Sequence, residues 1–263
     1  MREGGSTQLA EMTWPEVQGL VEQEALVILP TASTEQHGPH LPLSTDAIIV
    51  GECVLRAAER VADRTPIVVA PTLPYGFSEH HMLFPGTMTF SVTNYLAALI
   101  DLCESLVRHG FQHVLLVNGH GGNQEIVMVA VREIMSRHRV VIGAADYWTI
   151  AREALEAAGA SQVGLVPGHS AGFETSCMLA LRPDLVGLDR LPAEDRSRPG
   201  ERDARRTVKA LGIMTAPHRE QQPDTGVWGD PALVRADLGA AFVEAIVGAL
   251  AEAFLAFAGT DRH

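Results

Sequence analysis

Four short apolar runs, each followed by turn-forming or polar residues and then by a long amphipathic stretch, constrain what this 263-residue chain folds into. Residues 25–30, 67–70, 113–117 and 140–144 are rich in Val, Ile, Leu and Ala, as buried strands are. Residues 47–62, 95–109 and 124–138 carry apolar side chains at helical spacing. Strands alternating with helices of this length imply parallel βαβ units, because a parallel connection needs a crossover long enough to hold a helix. The expected fold is α/β: a three-layer α/β/α sandwich with a mostly parallel central sheet. Sites in such sheets form just beyond the carboxyl ends of the strands, where the polar clusters of this chain fall.

The periodic signal weakens after about residue 184. Residues 189–206, charged and holding Pro192, Pro199 and Gly200, read as a solvated loop. Asp230 and Pro231 are expected to open a helix running to about Phe257, with Asp as N-cap and Pro in the first turn. No repeat or linker divides the chain, so residues 1–263 are read as one domain.

Nearly half the residues are hydrophobic (46%), enough for one sizeable core. A formal net charge of -12 repels phosphate backbones and anionic lipid, so no nucleic-acid or membrane partner is expected. The N-terminus has no basic-then-apolar leader pattern, and no window approaches 18 uncharged apolar residues. Cys53, Cys103 and Cys177 each fall in an apolar helical pattern and share no metal or redox spacing, which suits buried residues in a reducing compartment. A cytoplasmic protein is the expectation.

Four clusters carry chemistry. Glu35, His37, His40 and Asp46 follow the first strand. Glu35 and His37 at i, i+2 on extended chain point to one side, and Asp46 at the start of the next helix can reach back towards them. Mixed carboxylate and imidazole ligation suits Zn²⁺, Mn²⁺ or Fe²⁺ and suits Ca²⁺ poorly; a capping Asp with surface histidines is the alternative. Asn118-Gly119-His120-Gly121-Gly122-Asn123 follows the third strand, with glycines that let backbone approach a ligand. His120 is favoured as a ligand over a plain turn capped by Asn123. His169 and Glu174 are candidates for a proton shuttle and a further carboxylate, although Glu174 also suits a helix first turn for its dipole alone. The loop at residues 75–87, with Ser78, Glu79, His80 and His81 among aromatic residues, has the make-up of a substrate-facing lid or a histidine-bearing surface loop.

Together these segments resemble the creatininase family of amidohydrolases. E-x-H-G-x-H-L-P-x-x-x-D matches at Glu35 through Asp46, and G-x-S-x-x-H-x-x-F-P-G-T at Gly76, Ser78, His81 and Phe84 through Thr87. NGHGGN matches at Asn118 through Asn123, H-x-x-x-x-E-T-S at His169 through Ser176, and G-D-P at Gly229 through Pro231. The first four occur in family order and span most of the first 180 residues.

The resemblance implies an α/β/α hydrolase with one or two divalent metals, commonly Zn²⁺ or Mn²⁺, and frequently a ring-like hexamer. It implies Glu35, His37, Asp46 and His120 as ligands, with Asp46 bridging. His169 matches the general acid/base, and Glu174 is the candidate completing a second metal position. Ser78, His81, Trp148, Gly121 and Gly122 are the substrate-facing candidates. Enzymes acting on creatinine carry a glutamate where this chain has Gly122 and a tryptophan before the catalytic histidine, where residues 163–167 have none. Gly172 also stands where many relatives have a charged side chain. The expected reaction is metal-dependent hydrolysis of a non-peptide C–N bond in a small cyclic amide or formamide, with these departures speaking against creatinine itself. Processing of a modified peptide, as in relatives acting on the mycofactocin precursor, and a non-catalytic metal-binding role are the alternatives.

Overall fold

The computed structural model describes residues 6–193 and 224–260, so residues 194–206 of the loop expected at 189–206 lie outside the described residues. The sheet has four strands, β1 (Leu26–Thr31), β2 (Ile67–Val69), β3 (His113–Asn118) and β4 (Val141–Asp146), in the order β2-β1-β3-β4 with every pairing parallel. The helices between them are α2 (Thr45–Val61), α3 (Val92–Arg108) and α4 (Gln124–Arg137), preceded by α1 (Trp14–Glu22). Short α5 (Tyr147–Ile150) and α6 (Arg152–Ala157) follow β4, then come α7 (Gly172–Leu181) and α8 (Ala236–Ala258).

Alternation along the strands divides the core in two. Leu26, Ile28, Leu115 and Val117 face one layer with α2, α7 and α8, whereas Val27, Leu29, Val114 and Leu116 face the other with α3 and α4. Side chains of successive strand residues point to opposite faces, so an all-apolar strand must be covered on both. The three-layer α/β/α sandwich is therefore present. By length and composition α8 is apolar enough to cross a membrane, but Phe242, Ile246, Leu250 and Phe254 are buried against α2 and α7.

One expectation needs correction. Asp230 does not open the long helix: its side chain accepts from Ala232 N (2.9 Å) and caps only a 3-10 turn, Pro231–Leu233. Val234 and Arg235 then run extended, and α8 starts at Ala236. The Arg235 N–H is spent on Ser176 Oγ (2.9 Å), which anchors the junction to α7 instead of prolonging the first turn. The plain-turn alternative at residues 118–123, with Asn123 as a cap, is not what forms: the Asn123 side chain makes no cap bond, its Oδ1 accepting from Phe77 N (3.0 Å) and its Nδ2 donating to Ala32 O (3.1 Å).

Candidate metal centre

Strand order reverses between β1 and β3, and their last residues, Thr31 and Asn118, are register partners. Crevices at such switch points are where open parallel sheets place their sites. Thr31 Oγ1 donates to Asn118 Oδ1 (3.1 Å), and Asn118 Nδ2 donates to His120 O and to Asp146 Oδ1, both 2.7 Å, tying together the ends of β1, β3 and β4. Gly119 lets α2 come close: a Cβ there would stand 2.7 Å from Val50 Cβ. That approach sets Asp46, in the first turn of α2, against His120.

The structure brings all five residues proposed as ligands into one buried group. His37 Nε2 lies 3.1 Å from Asp46 Oδ1 and 3.7 Å from Glu174 Oε2. His120 Nδ1 lies 3.1 Å from Asp46 Oδ2 and 3.3 Å from Glu35 Oε1. Asp46 thus stands between two histidines, one on each oxygen. His169 Nδ1 and His81 Nε2 also face Glu35 Oε1, at 3.6 and 3.5 Å. Among the described residues, potential ligand atoms within 4.8 Å of one another form three sets: His37, Asp46 and Glu174; Glu35, His37 and His169; Glu35, His80 and His120.

Outer-nitrogen contacts orient the imidazoles. His37 Nδ1 bonds to Glu35 O (3.1 Å), His120 Nε2 to Phe77 O (3.0 Å) and His169 Nε2 to Gln36 O (2.9 Å). A carbonyl accepts only, so each outer nitrogen carries a hydrogen and the inner nitrogen, once unprotonated, is the one that offers its lone pair to the centre. His81 is the reverse. The Gln36 amide is fixed because its Oε1 accepts from Gly38 N and its Nε2 donates to Gly226 O, both 2.9 Å. Nε2 also stands 2.9 Å from His169 Nε2, whose own hydrogen goes to Gln36 O, so the second amide hydrogen goes to His81 Nδ1 (3.0 Å), leaving His81 Nε2–H pointed at Glu35.

Electrostatics shows what the group lacks. Burial opposes charge on His37, yet the Asp46 and Glu174 carboxylates raise its pKa to about 10. Burial likewise opposes charge on His120, and Glu35 and Asp46 raise it well above the ordinary value. Burial favours the neutral form of Glu35, but His120 and His81 hold it well below the usual carboxylate range. Burial drives Glu174 up to about 8, with His37 opposing. Protons therefore gather where buried carboxylates need positive charge, and Glu35 Oε2 is buried with no hydrogen-bond partner. Both features fit a divalent cation, and the donor set of imidazoles and carboxylates suits Zn²⁺ or Mn²⁺. Burial, with His81 and His37 beside it, keeps the pKa of His169 well below the ordinary value, so its ring is neutral.

The other candidates divide. Ser78 is buried with its hydroxyl 2.5 Å from Ser33 Oγ and 3.2 Å from His120 Nε2, so it backs the His120 imidazole. Gly121 has open space around it, whereas a Cβ at Gly122 would stand 2.2 Å from Phe77 O. Trp148 is not brought into the group; it lines a separate cleft of about 560 Å³ with Arg152, Leu155 and Leu165. His40 turns away to Thr175 Oγ1 (2.9 Å), and its pKa falls to about 4 through burial and the nearby His37. Sequence reasoning passed over Gln36 and gave His80 no role. A polar residue between Glu35 and His37 was the available signal for Gln36, but its partner Gly226 lies 190 residues away.

The chain is similar in sequence and fold to known proteins. The family model described as creatininase, creatinine amidohydrolase, matches residues 10–254. A creatinine amidohydrolase from Pseudomonas putida is 30% identical over 71% of this chain and 76% of its own length. A mycofactocin precursor peptide peptidase from Mycobacterium ulcerans (strain Agy99) is 34% identical over 72% of this chain and 66% of its own length. Among solved structures, a manganese creatininase superposes with a TM-score of 0.78 at 25% identity, covering 95% of this chain and 97% of that one. A mutant creatininase of Zn-Zn type gives 0.77 at 26% identity over the same shares.

Proposed function

Because the chain belongs to the creatininase family, we propose that it is a metal-dependent amidohydrolase cleaving a non-peptide C–N bond of a small cyclic amide or formamide. The observation that supports this most is the convergence of Glu35, His37, Asp46, His120 and Glu174 on buried positions short of positive charge, with a neutral His169 alongside. A bound divalent ion supplies a water of lowered pKa and polarises the scissile carbonyl.

The remaining work falls to side chains of this protein. Glu35, His37, Asp46, His120 and Glu174 would hold the metal, with Asp46 offering one oxygen to each side. His169, its Nε2–H on the Gln36 carbonyl, presents a free Nδ1 that takes a proton from the attacking water and passes it to the departing nitrogen. His81 presents Nε2–H to the same space and donates to the substrate carbonyl oxygen. Gly122 holds no carboxylate of the kind expected in enzymes acting on creatinine, so creatinine is not the proposed substrate.

Peptide processing is the second reading, favoured by the 34% identity to the mycofactocin precursor peptide peptidase. Turnover of the metal-loaded protein against lactams, hydantoins, formamides and short peptides tests both. Hydrolysis confined to peptides replaces the first reading with the second. Activity surviving complete metal removal sinks both, and no turnover of any class leaves a metal-binding protein without catalysis.

A cytoplasmic homo-oligomer built from one domain completes the proposal. Free, buried Cys53, Cys103 and Cys177 support a reducing compartment, and the core shared by α2, α7, α8 and the sheet supports one domain. Sedimentation tests the oligomer.

A further inference from the structure

We propose that His80 is a metal ligand, the third donor beside Glu35 and His120 at one cation position. This rests on the metal-dependent reading above and adds a residue outside its ligand set. Three observations carry it. One ring nitrogen of His80 lies within 4.8 Å of a ligand atom on Glu35 and another on His120. Donors sharing an ion with bonds of about 2.0–2.2 Å stand roughly 3–4 Å apart. A small rotation of the half-buried His80 ring closes that difference.

The second observation is what His80 lacks. The outer nitrogens of His37, His120 and His169 are tied to backbone carbonyls. Among the described residues, no hydrogen bond engages the His80 ring, which is held only by its faces, against His81 at 4.2 Å and His120 at 5.8 Å between centroids. Glu35 Oε2 is correspondingly buried without a donor.

The third is Gly122. A Cβ there would meet Phe77 O at 2.2 Å, His120 Nε2 at 2.5 Å and His80 Cε1 at 3.1 Å. Only glycine lets residues 77–80 lie against His120. The position that can carry no ligating side chain of its own is thus the one that admits His80. Two imidazoles with one carboxylate select a first-row divalent ion such as Zn²⁺ or Co²⁺ over Mg²⁺ or Ca²⁺.

The test is Co²⁺ titration of the metal-free, full-length protein, read by visible absorption, with Zn²⁺ affinity from chelator competition. His80→Phe keeps the stacked ring and removes the donor; it is expected to weaken one binding event by at least 10-fold and to change the Co²⁺ spectrum. Glu174→Gln is expected to weaken a different event. His80→Gly should regain the lost absorption when imidazole is added. Wild-type affinities and spectrum in both His80 variants overturn the assignment while leaving the metal centre standing. Failure of the wild-type protein to bind Co²⁺ or Zn²⁺ overturns the metal-dependent reading as well.

Discussion

Gln36 and Gly226, 190 residues apart, are joined by a 2.9 Å hydrogen bond from the Gln36 amide to the Gly226 carbonyl, and a Cβ on Gly226 would stand 1.9 Å from Gln36 Oε1. Gly226 also adopts a φ of 72°, which L side chains rarely take. The amide so trapped sets which nitrogen of His81 carries the hydrogen.

Gln36→Leu is therefore expected to lower kcat by about 10–100-fold, the usual loss on removing an outer partner of a metal-site histidine, with metal content retained. Gly226→Ala should show the same defect through displacement of the amide. Steady-state kinetics paired with metal analysis checks this. Unchanged kcat in both variants would mean that the amide only fills space.

Asp46→Ala should strip metal from the protein, since its two oxygens face His37 and His120 at 3.1 Å each. His169→Ala should reduce turnover by about 10²–10⁴-fold with metal near normal, as loss of a general acid/base does. Loss of metal in His169→Ala would instead make His169 a ligand.

Metal binding at neutral pH should release protons. The pKa of His37 is raised to about 10, that of Glu174 to about 8, and that of His120 well above the ordinary value, and each must be deprotonated to ligate. Zn²⁺ titration calorimetry at pH 7 in buffers of different ionisation enthalpy should give roughly three protons released per protein, one from each group. No buffer dependence would contradict the proton-filled site.

The same shifts fix the stability of the metal-free form. Raised groups bind protons more tightly when folded, so their contribution is whole below the unfolded values, 6.5 for His37 and 4.5 for Glu174, and is lost as pH rises through about 10 and about 8. His40, lowered to about 4, and His81, lowered to about 3, act in the opposite sense: folded stability drops as pH falls below 6.5. Thermal melting of metal-free protein should peak near neutrality and decline on both sides. A Tm still rising between pH 8 and pH 10 would contradict these assignments.

On the fold, Phe242→Ala should cost about 3–5 kcal/mol, because the ring is fully buried against Phe173 in the core beneath α8. Arg60→Ala removes an exposed pair with Glu244 (2.7 Å) and should cost less than about 1 kcal/mol. Urea denaturation separates the two.

The sequence by itself determined the sheet and its crossovers. Strands buried on both faces read as unbroken apolar runs, and α2, α3 and α4 differ from their expected limits by a few residues because helical periodicity is a local property. It also supplied Glu35, His37, Asp46, His120 and Glu174 as ligand candidates, the full set through the resemblance to the creatininase family and not through spacing alone. It passed over α1, although Thr13 and Glu16 form the local hydrogen bond of a helix start (2.7 Å), and it began α8 six residues early because Ser176 captures the Arg235 N–H. Only the tertiary structure decided which nitrogen each histidine offers, that Ser78 backs His120, that Trp148 stands in another cleft and that His80 faces Glu35. Those outcomes depend on backbone carbonyls and glycine clearances contributed by segments far apart in the chain, and local pattern carries no record of such partners.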